Sequence, residues 1–273
     1  MTLWTKNVLS KLYRRFFYPS GILLADAREY VAGDDTRLIN WNITAKTNAL
    51  SVNNICADSG NDIIFALDVS ASMKFGTKKQ PKISLATDVF KTLSQLSEKN
   101  NDRVGCLMFS NGVEKYFPPR RRAQCFPYAI DKIVHCQEKL RTDLLAALKF
   151  LNKVLTKRSR VILICDTFAL TAGRKAILAQ LHILQSRHDA MMFPMVDGND
   201  MLVAQLGRIT VEDSETGEIF EIDTDDVEMM SRVEAQYAAY QNLIFKDVES
   251  VGIKIFPINT QNSAMEFLFK LFK

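Results

Sequence analysis

The amino-acid sequence predicts an α/β fold built on a doubly wound, mostly parallel, Rossmann-like sheet. Three observations predict it. Short apolar runs that read as strands alternate with segments of helical periodicity through most of the chain. Ile63-Ile64-Phe65-Ala66-Leu67 is apolar at every position, as suits a strand covered on both faces. That run leads directly into Asp68-Val69-Ser70-Ala71-Ser72, and open α/β sheets bind ligands outside the carboxyl ends of their strands.

Composition narrows the class. The chain has 273 residues, 47% of them hydrophobic, which is enough to bury a full core. Its 35 basic and 31 acidic residues leave a net charge of +4, too mild for the basic stripe of a nucleic-acid binder. Cys56, Cys106, Cys125, Cys136 and Cys165 form no CxxC pair, and His135, His182 and His188 make no metal-ligand spacing with them. This pattern points to a reducing compartment and no zinc. No apolar run approaches the roughly 20 residues of a membrane-spanning helix. Lys6, Lys11, Arg14 and Arg15 interrupt the amino-terminal apolar stretch, so it is not a secretory signal. The expected location is the cytoplasm.

The elements follow in order. In residues 1–18, Trp4, Val8, Leu12 and Phe16 fall on one helical face, with Leu9 and Tyr13 beside it. Two roles are open to this basic amphipathic helix. It docks on the protein's own core, or it makes a peripheral contact with the inner membrane face. Gly33-Asp34-Asp35 reads as a turn, and either Asp suits a helix cap. Leu50 to Cys56 reads as a strand, paired with the 63–68 strand through the Asp58-Ser59-Gly60-Asn61 turn. Ser84 to Leu96 is helical, ended by Asn100-Asn101-Asp102. Val104 to Phe109 is a strand, with Gly112 to Phe117 as its hairpin partner. Arg120-Arg121-Arg122 reads as solvated surface, with a patch for an acidic partner as the alternative. A helix is expected over about 123–136.

Leu140-Arg141-Thr142-Asp143 opens a helix with Leu144, Leu145, Leu148, Leu151, Val154 and Leu155 inward. Arg160 to Cys165 is a strand ending at Asp166. Gly173 to Arg187 is a helix with Ile177, Leu181 and Leu184 inward, and Ala190 to Val196 a strand. Arg208 to Asp223 reads as a hairpin around Ser214-Glu215-Thr216-Gly217. Residues 225–247 are helical, Gly252 to Ile258 a strand and Ala264 to Phe272 a helix. The expected organisation is an extension over residues 1–55, then one domain over 56–273 with a hairpin insertion at about 207–223.

Three loops bring oxygen ligands to the ends of these elements. Asp68, Ser70 and Ser72 follow the first core strand, Thr142 precedes a helix, and Asp166 ends a later strand. Two carboxylates and three hydroxyls, without sulfur or imidazole, suit a hard divalent cation such as Mg²⁺ or Mn²⁺. Taken singly, each has a plain alternative: Thr142 as a helix N-cap, Asp166 as a turn residue or cap, and DxSxS as a chance loop.

Together these residues resemble the metal-ion-dependent adhesion site of the von Willebrand factor A domain, which combines a DxSxS loop, a Thr and an Asp. The resemblance covers about residues 60–200 and the late strand near 252–258. It implies that Ser70, Ser72 and Thr142 touch the metal through hydroxyls, while Asp68 and Asp166 act directly or through water. It also implies a sheet order that brings the ends of the 63–68 and 160–166 strands together.

A narrower resemblance spans most of the chain. REYVAGDDTRLINWNITAKTN, LDVSASMKFG, NDRVG, RTDLLAAL and ITVEDSETGE are similar to blocks of a bacterial family long catalogued only as a domain of unknown function. Its members are often encoded beside MoxR-type AAA+ ATPases. The chain carries Asn40 and Lys46 where that family usually has Asp and Arg. It also carries Asn53-Asn54-Ile55-Cys56-Ala57 in place of an acidic run. None of these departures touches the metal ligands.

The expected function is therefore a non-enzymatic, metal-dependent protein-interaction module. It would act as an adaptor or substrate-recognition partner of a MoxR-type AAA+ ATPase and its client. An acidic side chain of the partner would complete the metal's coordination. No Ser-His-Asp constellation, GxxxxGK[ST] or GxGxxG is present. The competing expectation is a Mg²⁺-dependent phosphoryl hydrolase using Asp68, Asp143 and Asp166.

Overall fold

The computed structural model describes residues 3–17, 27–31, 33, 36, 39, 41–47, 49–53, 61–74, 80–121, 142–171, 173–197, 207–212, 219–223 and 225–272. Its helices are α1 (Leu3–Phe17), α2 (Trp41–Thr47), α3 (Lys82–Lys99), α4 (Leu144–Val154), α5 (Arg174–Arg187), α6 (Val227–Ser250) and α7 (Ala264–Leu271). Its strands are β1 (Ala27–Glu29), β2 (Ser51–Asn53), β3 (Asp62–Asp68), β4 (Arg103–Phe109), β5 (Val113–Arg120) and β6 (Arg160–Asp166). They continue with β7 (Asp189–Val196), β8 (Arg208–Glu212), β9 (Ile219–Asp223), β10 (Lys254–Ile255) and β11 (Ile258–Asn259).

The central sheet runs β10-β7-β6-β3-β4-β5, with β11 also on β7. Every pair in it is parallel except β4 with β5. This is the expected doubly wound, mostly parallel α/β architecture. From β3 the chain first builds outward through β4 and β5, then returns to lay β6 on the other side. The order reverses between β3 and β6, and both strands end at that switch point on an aspartate.

Strand alternation divides the core into two layers. Ile63, Phe65 and Leu67 of β3 pack on one face with Ile162 and Ile164, beneath α1, α3 and α7. Ile64 and Ala66 pack on the other with Val161, Leu163 and Cys165, beneath α4, α5 and α6. A strand enclosed in this way needs apolar residues at both parities, which explains its unbroken hydrophobic run.

Tyr13 ties α1 to this core. Its hydroxyl donates to Asp102 Oδ2 at 2.9 Å, and Asp102 Oδ1 accepts the Asn61 amide at 3.2 Å. The buried Asp102 therefore joins α1 to the entry of β3, a role beyond ending α3. Asn101 takes the left-handed conformation at φ 62°, which lets the chain turn out of α3 into β4.

Three expectations are corrected. Leu9, Tyr13 and Phe17 form the buried line of α1, whereas Val8, Leu12 and Phe16 are half-buried, so the stripe is turned by one position. The Phe17 carbonyl and ring engage Arg160, and this sets the helix's rotation. β2 pairs antiparallel with β1 and not with β3, because β4 and β6 already occupy both edges of β3. The late strand is two short ones along β7, interrupted at Phe256 and Pro257, where proline has no amide to donate.

The hairpin appears as β8 paired with β9, from Arg208 opposite Asp223 to Glu212 opposite Ile219. The helix expected over 123–136, and Cys56, Cys125 and Cys136, lie outside the described residues. Cys106 and Cys165 are buried free thiols.

Candidate functional site

The DxSxS loop is held by its own backbone. Asp68 is fully buried, and its Oδ1 accepts the Ser70 amide at 2.9 Å, a turn that an aspartate makes with the residue two positions on. The Val69 amide donates to the Phe109 carbonyl at 2.8 Å and so pins the loop to the end of β4. The Ser70 and Ser72 hydroxyls lie 2.9 Å apart. Met73 is buried beneath the short 3₁₀ turn Ala71–Lys74, which packs against β6.

The Thr142 loop is anchored at the end of β4. The Asp143 amide donates to the Ser110 carbonyl at 2.6 Å, and Ser110 directly follows β4. Asp143 is the N-cap of α4, with Oδ1 accepting the Ala146 amide at 2.8 Å. The cap therefore falls one residue later than Thr142, so the threonine hydroxyl is not needed for capping. Thr142 is half-buried.

Asp166 ends β6 beside the end of β3; the last registered pair between these strands is Leu67 with Ile164, so both aspartates lie just beyond it, Asp68 still opposite Phe109 of β4 and Asp166 opposite Met195 of β7. Asp166 is buried, and its Oδ1 accepts the Phe168 amide at 3.4 Å, so it also caps the following 3₁₀ turn. Its Oδ2 is 3.1 Å from Lys82 Nζ, an ion pair with both side chains buried. Lys82 is the residue that sequence reasoning missed. The signal was a lysine at the first position of α3, where the helix dipole disfavours a cation.

The electrostatics are those of two carboxylates taken out of water. Burial, the largest cause, pushes the Asp68 carboxyl up from 3.8 to about 7, the Asp166 charge adds to the rise, and the Ser70 hydrogen bonds and the Asp166 backbone amide oppose it. Asp68 Oδ2 is buried and accepts no hydrogen bond. A buried carboxylate oxygen without a donor is costly unless a cation meets it. Burial and the same two aspartates raise the Cys165 thiol, so it is inert.

This donor chemistry fits a hard cation. The residues supply only oxygen, and one of those oxygens lacks a protein partner. Among the described residues no three His, Cys, Asp or Glu cluster, because this site has two carboxylates and otherwise hydroxyls. The fold brings Asp68, Ser70, Ser72 and Asp166 to the switch point and sets the Thr142 loop against the end of β4. It directs the Asp143 carboxylate into a helix cap and leaves that residue exposed.

Residues 26–242 match the family described as protein of unknown function DUF58. The chain belongs to this family. A DUF58 match over most of the sequence agrees with the family-like blocks read in it. An uncharacterized protein of Mycobacterium tuberculosis is 25% identical over 204 residues, covering 73% of this chain and 63% of that one. The chain thus spans less than two thirds of the curated relatives it matches. The crystal structure of an aerotolerance-related membrane protein from Bacteroides fragilis is 14% identical with a TM-score of 0.50, covering 78% of this chain and 98% of that one. That likeness shows the fold. A von Willebrand factor type A structure from Catenulispora acidiphila aligns with 54% of this chain and 35% of its own, at 12% identity and a TM-score of 0.38. Among the described residues, no helix is long and apolar enough to cross a membrane.

Proposed function

We propose that this DUF58 chain is a non-enzymatic protein-interaction module that binds its partner through a divalent cation, Mg²⁺ or Mn²⁺. Asp68, Ser70, Ser72, Thr142 and Asp166 would hold the ion. The single observation that carries the reading is Asp68 Oδ2, a buried carboxylate oxygen without a donor, beside a second buried carboxylate and a pair of serine hydroxyls. The ion would supply concentrated positive charge and an open position. An acidic side chain of a partner suits that position, since a carboxylate oxygen is a preferred ligand of a hard divalent cation.

The chain's own residues do the rest. Ser70 N–H orients Asp68, the Ser70–Ser72 pair orders the hydroxyls, and Asp143 holds the Thr142 loop against β4. The partner we assign is a MoxR-type AAA+ ATPase and its client, in the cytoplasm, on the strength of the sequence blocks shared with the family. The hydrolase alternative is less well served. It calls on Asp143, whose Oδ1 is engaged by the α4 cap.

The test is binding of the full chain to a MoxR-type ATPase from the same genome, in Mg²⁺ and in EDTA, for wild type and Asp68→Ala. Binding lost in EDTA and in the variant supports the reading. Equal affinity in all arms refutes the metal bridge. Metal-dependent turnover of generic phosphate esters, abolished in Asp166→Ala, would favour the hydrolase.

A further inference from the structure

Among the described residues, the lysine paired to a carboxylate of this site is placed against two physical preferences. Lys82 is buried, although lysine carries a long stem that ordinarily delivers its ammonium to water. It also opens α3, where the helix N-terminus repels positive charge and the first turn holds no acidic residue. Only a strong local demand for a cation holds an ammonium there. That demand comes from Asp166, buried at the switch point and paired to Lys82 at 3.1 Å; Asp68, at the end of the neighbouring strand, carries a second buried carboxyl that feels the Asp166 charge.

We propose that the Lys82 ammonium is a built-in competitor for the metal at this site. It neutralises Asp166 when no ion is bound and must yield that carboxylate before the ion is held fully. This deepens the metal-dependent reading and rests on it. The geometry is suited to such an exchange. Lys82 sits on the rigid start of α3 and reaches across to the end of β6, while the serine hydroxyls and Asp68 approach from the β3 loop. Lysine brings a point charge on a flexible stem, so it can withdraw without moving the helix. The consequence is a site whose affinity is set by an internal cation as well as by its ligands, so that it half-fills at a higher ion concentration than its oxygens alone would require.

The experiment is calorimetric titration of the full chain with Mg²⁺ and with Mn²⁺, for wild type, Lys82→Met, Lys82→Gln and Lys82→Arg, alongside thermal melts in EDTA and in Mg²⁺. Like charges a few ångströms apart repel strongly in a buried site. Removing the lysine charge is therefore expected to tighten Mg²⁺ binding by roughly tenfold or more. Lys82→Arg should stay near wild type or weaker. In EDTA, Lys82→Met should melt below wild type because Asp166 loses its partner, and Mg²⁺ should raise its melting temperature by more than it raises the wild type's. A lysine with a structural role alone would lower both melts equally.

Wild type that binds while Lys82→Met and Lys82→Gln bind equally or more weakly overturns the competition and leaves the metal site standing. No binding by any variant overturns both. Binding by the neutral variants alone supports the inference most strongly. A measurement on wild type does not depend on any variant folding: the Lys82 ammonium nitrogen signal, followed by NMR, should move on Mg²⁺ addition with the midpoint of the calorimetric curve. A signal unchanged at saturation overturns the proposal.

Discussion

Replacing Asp68 by Asn should stabilise the metal-free protein at neutral and alkaline pH, although it removes the central candidate ligand. Asp68 is fully buried, Oδ1 has the Ser70 amide, Oδ2 has no donor, and the carboxyl is pushed up from 3.8 to about 7. Each unit of separation between folded and unfolded values corresponds to about 1.4 kcal/mol, so ionising Asp68 in the fold costs on the order of 4 kcal/mol. The sign follows from proton binding. Between the two values the folded chain holds the proton and the unfolded chain does not. This group's contribution to stability is therefore complete below 3.8 and is lost as pH rises through about 7.

Between pH 5 and pH 8 the wild type should lose roughly 2–3 kcal/mol that Asp68→Asn does not lose. Urea unfolding of both proteins in EDTA, followed by circular dichroism across that range, measures the difference. Profiles that run parallel, with a difference constant to about 0.5 kcal/mol, would refute the claim that a buried, donor-poor carboxylate sits at the switch point. Adding Mg²⁺ should then stabilise wild type alone.

Four further outcomes are expected. Tyr13→Phe removes the hydroxyl donor to Asp102 Oδ2 and should cost about 1–2 kcal/mol in chemical denaturation, because the charged acceptor stays buried. Gly105→Ala places a methyl 3.0 Å from both Ile64 Cδ1 and the Phe117 carbonyl oxygen, and should cost about 1–3 kcal/mol, since the strand backbone cannot retreat. Asp143→Ala removes the α4 cap and should cost about 1 kcal/mol, with weaker Mg²⁺ binding as the Thr142 loop loosens. Burial and the Arg187 and Arg158 charges lower the His188 imidazole, whose Nδ1 accepts the Ser159 amide. Its contribution is thus present above the ordinary value of 6.5 and lost as pH falls below it, so His188→Gln should flatten the acid limb of a stability–pH profile.

Much of the fold was legible because burial on both faces leaves a signature in residue type alone. The five apolar residues of β3, the similar runs of β6 and β7, and the helical spacing of α3, α4 and α5 are local patterns that survive without tertiary information. The β8–β9 hairpin and the final helix were equally plain. Where apolar spacing was ambiguous, reading failed: α1 offers two adjacent stripes, and contact with Arg160 chooses between them. β2 lay close in sequence to β3 yet pairs with β1, since edge availability is a property of the whole sheet.

The sequence by itself determined the parts list: an α/β alternation, five oxygen-bearing side chains at element ends, and a family whose blocks recur along the chain. The tertiary structure alone decided which charges meet. Lys82 and Asp166 are 84 positions apart, and their pairing arises because α3 starts where β6 ends. The orphaned Asp68 oxygen and the transfer of the α4 cap from Thr142 to Asp143 are likewise invisible in a list of residues. Residue identity sets what a group can donate or accept. Its partner and its exposure to water are set by how distant segments cross, and it is these that control its charge.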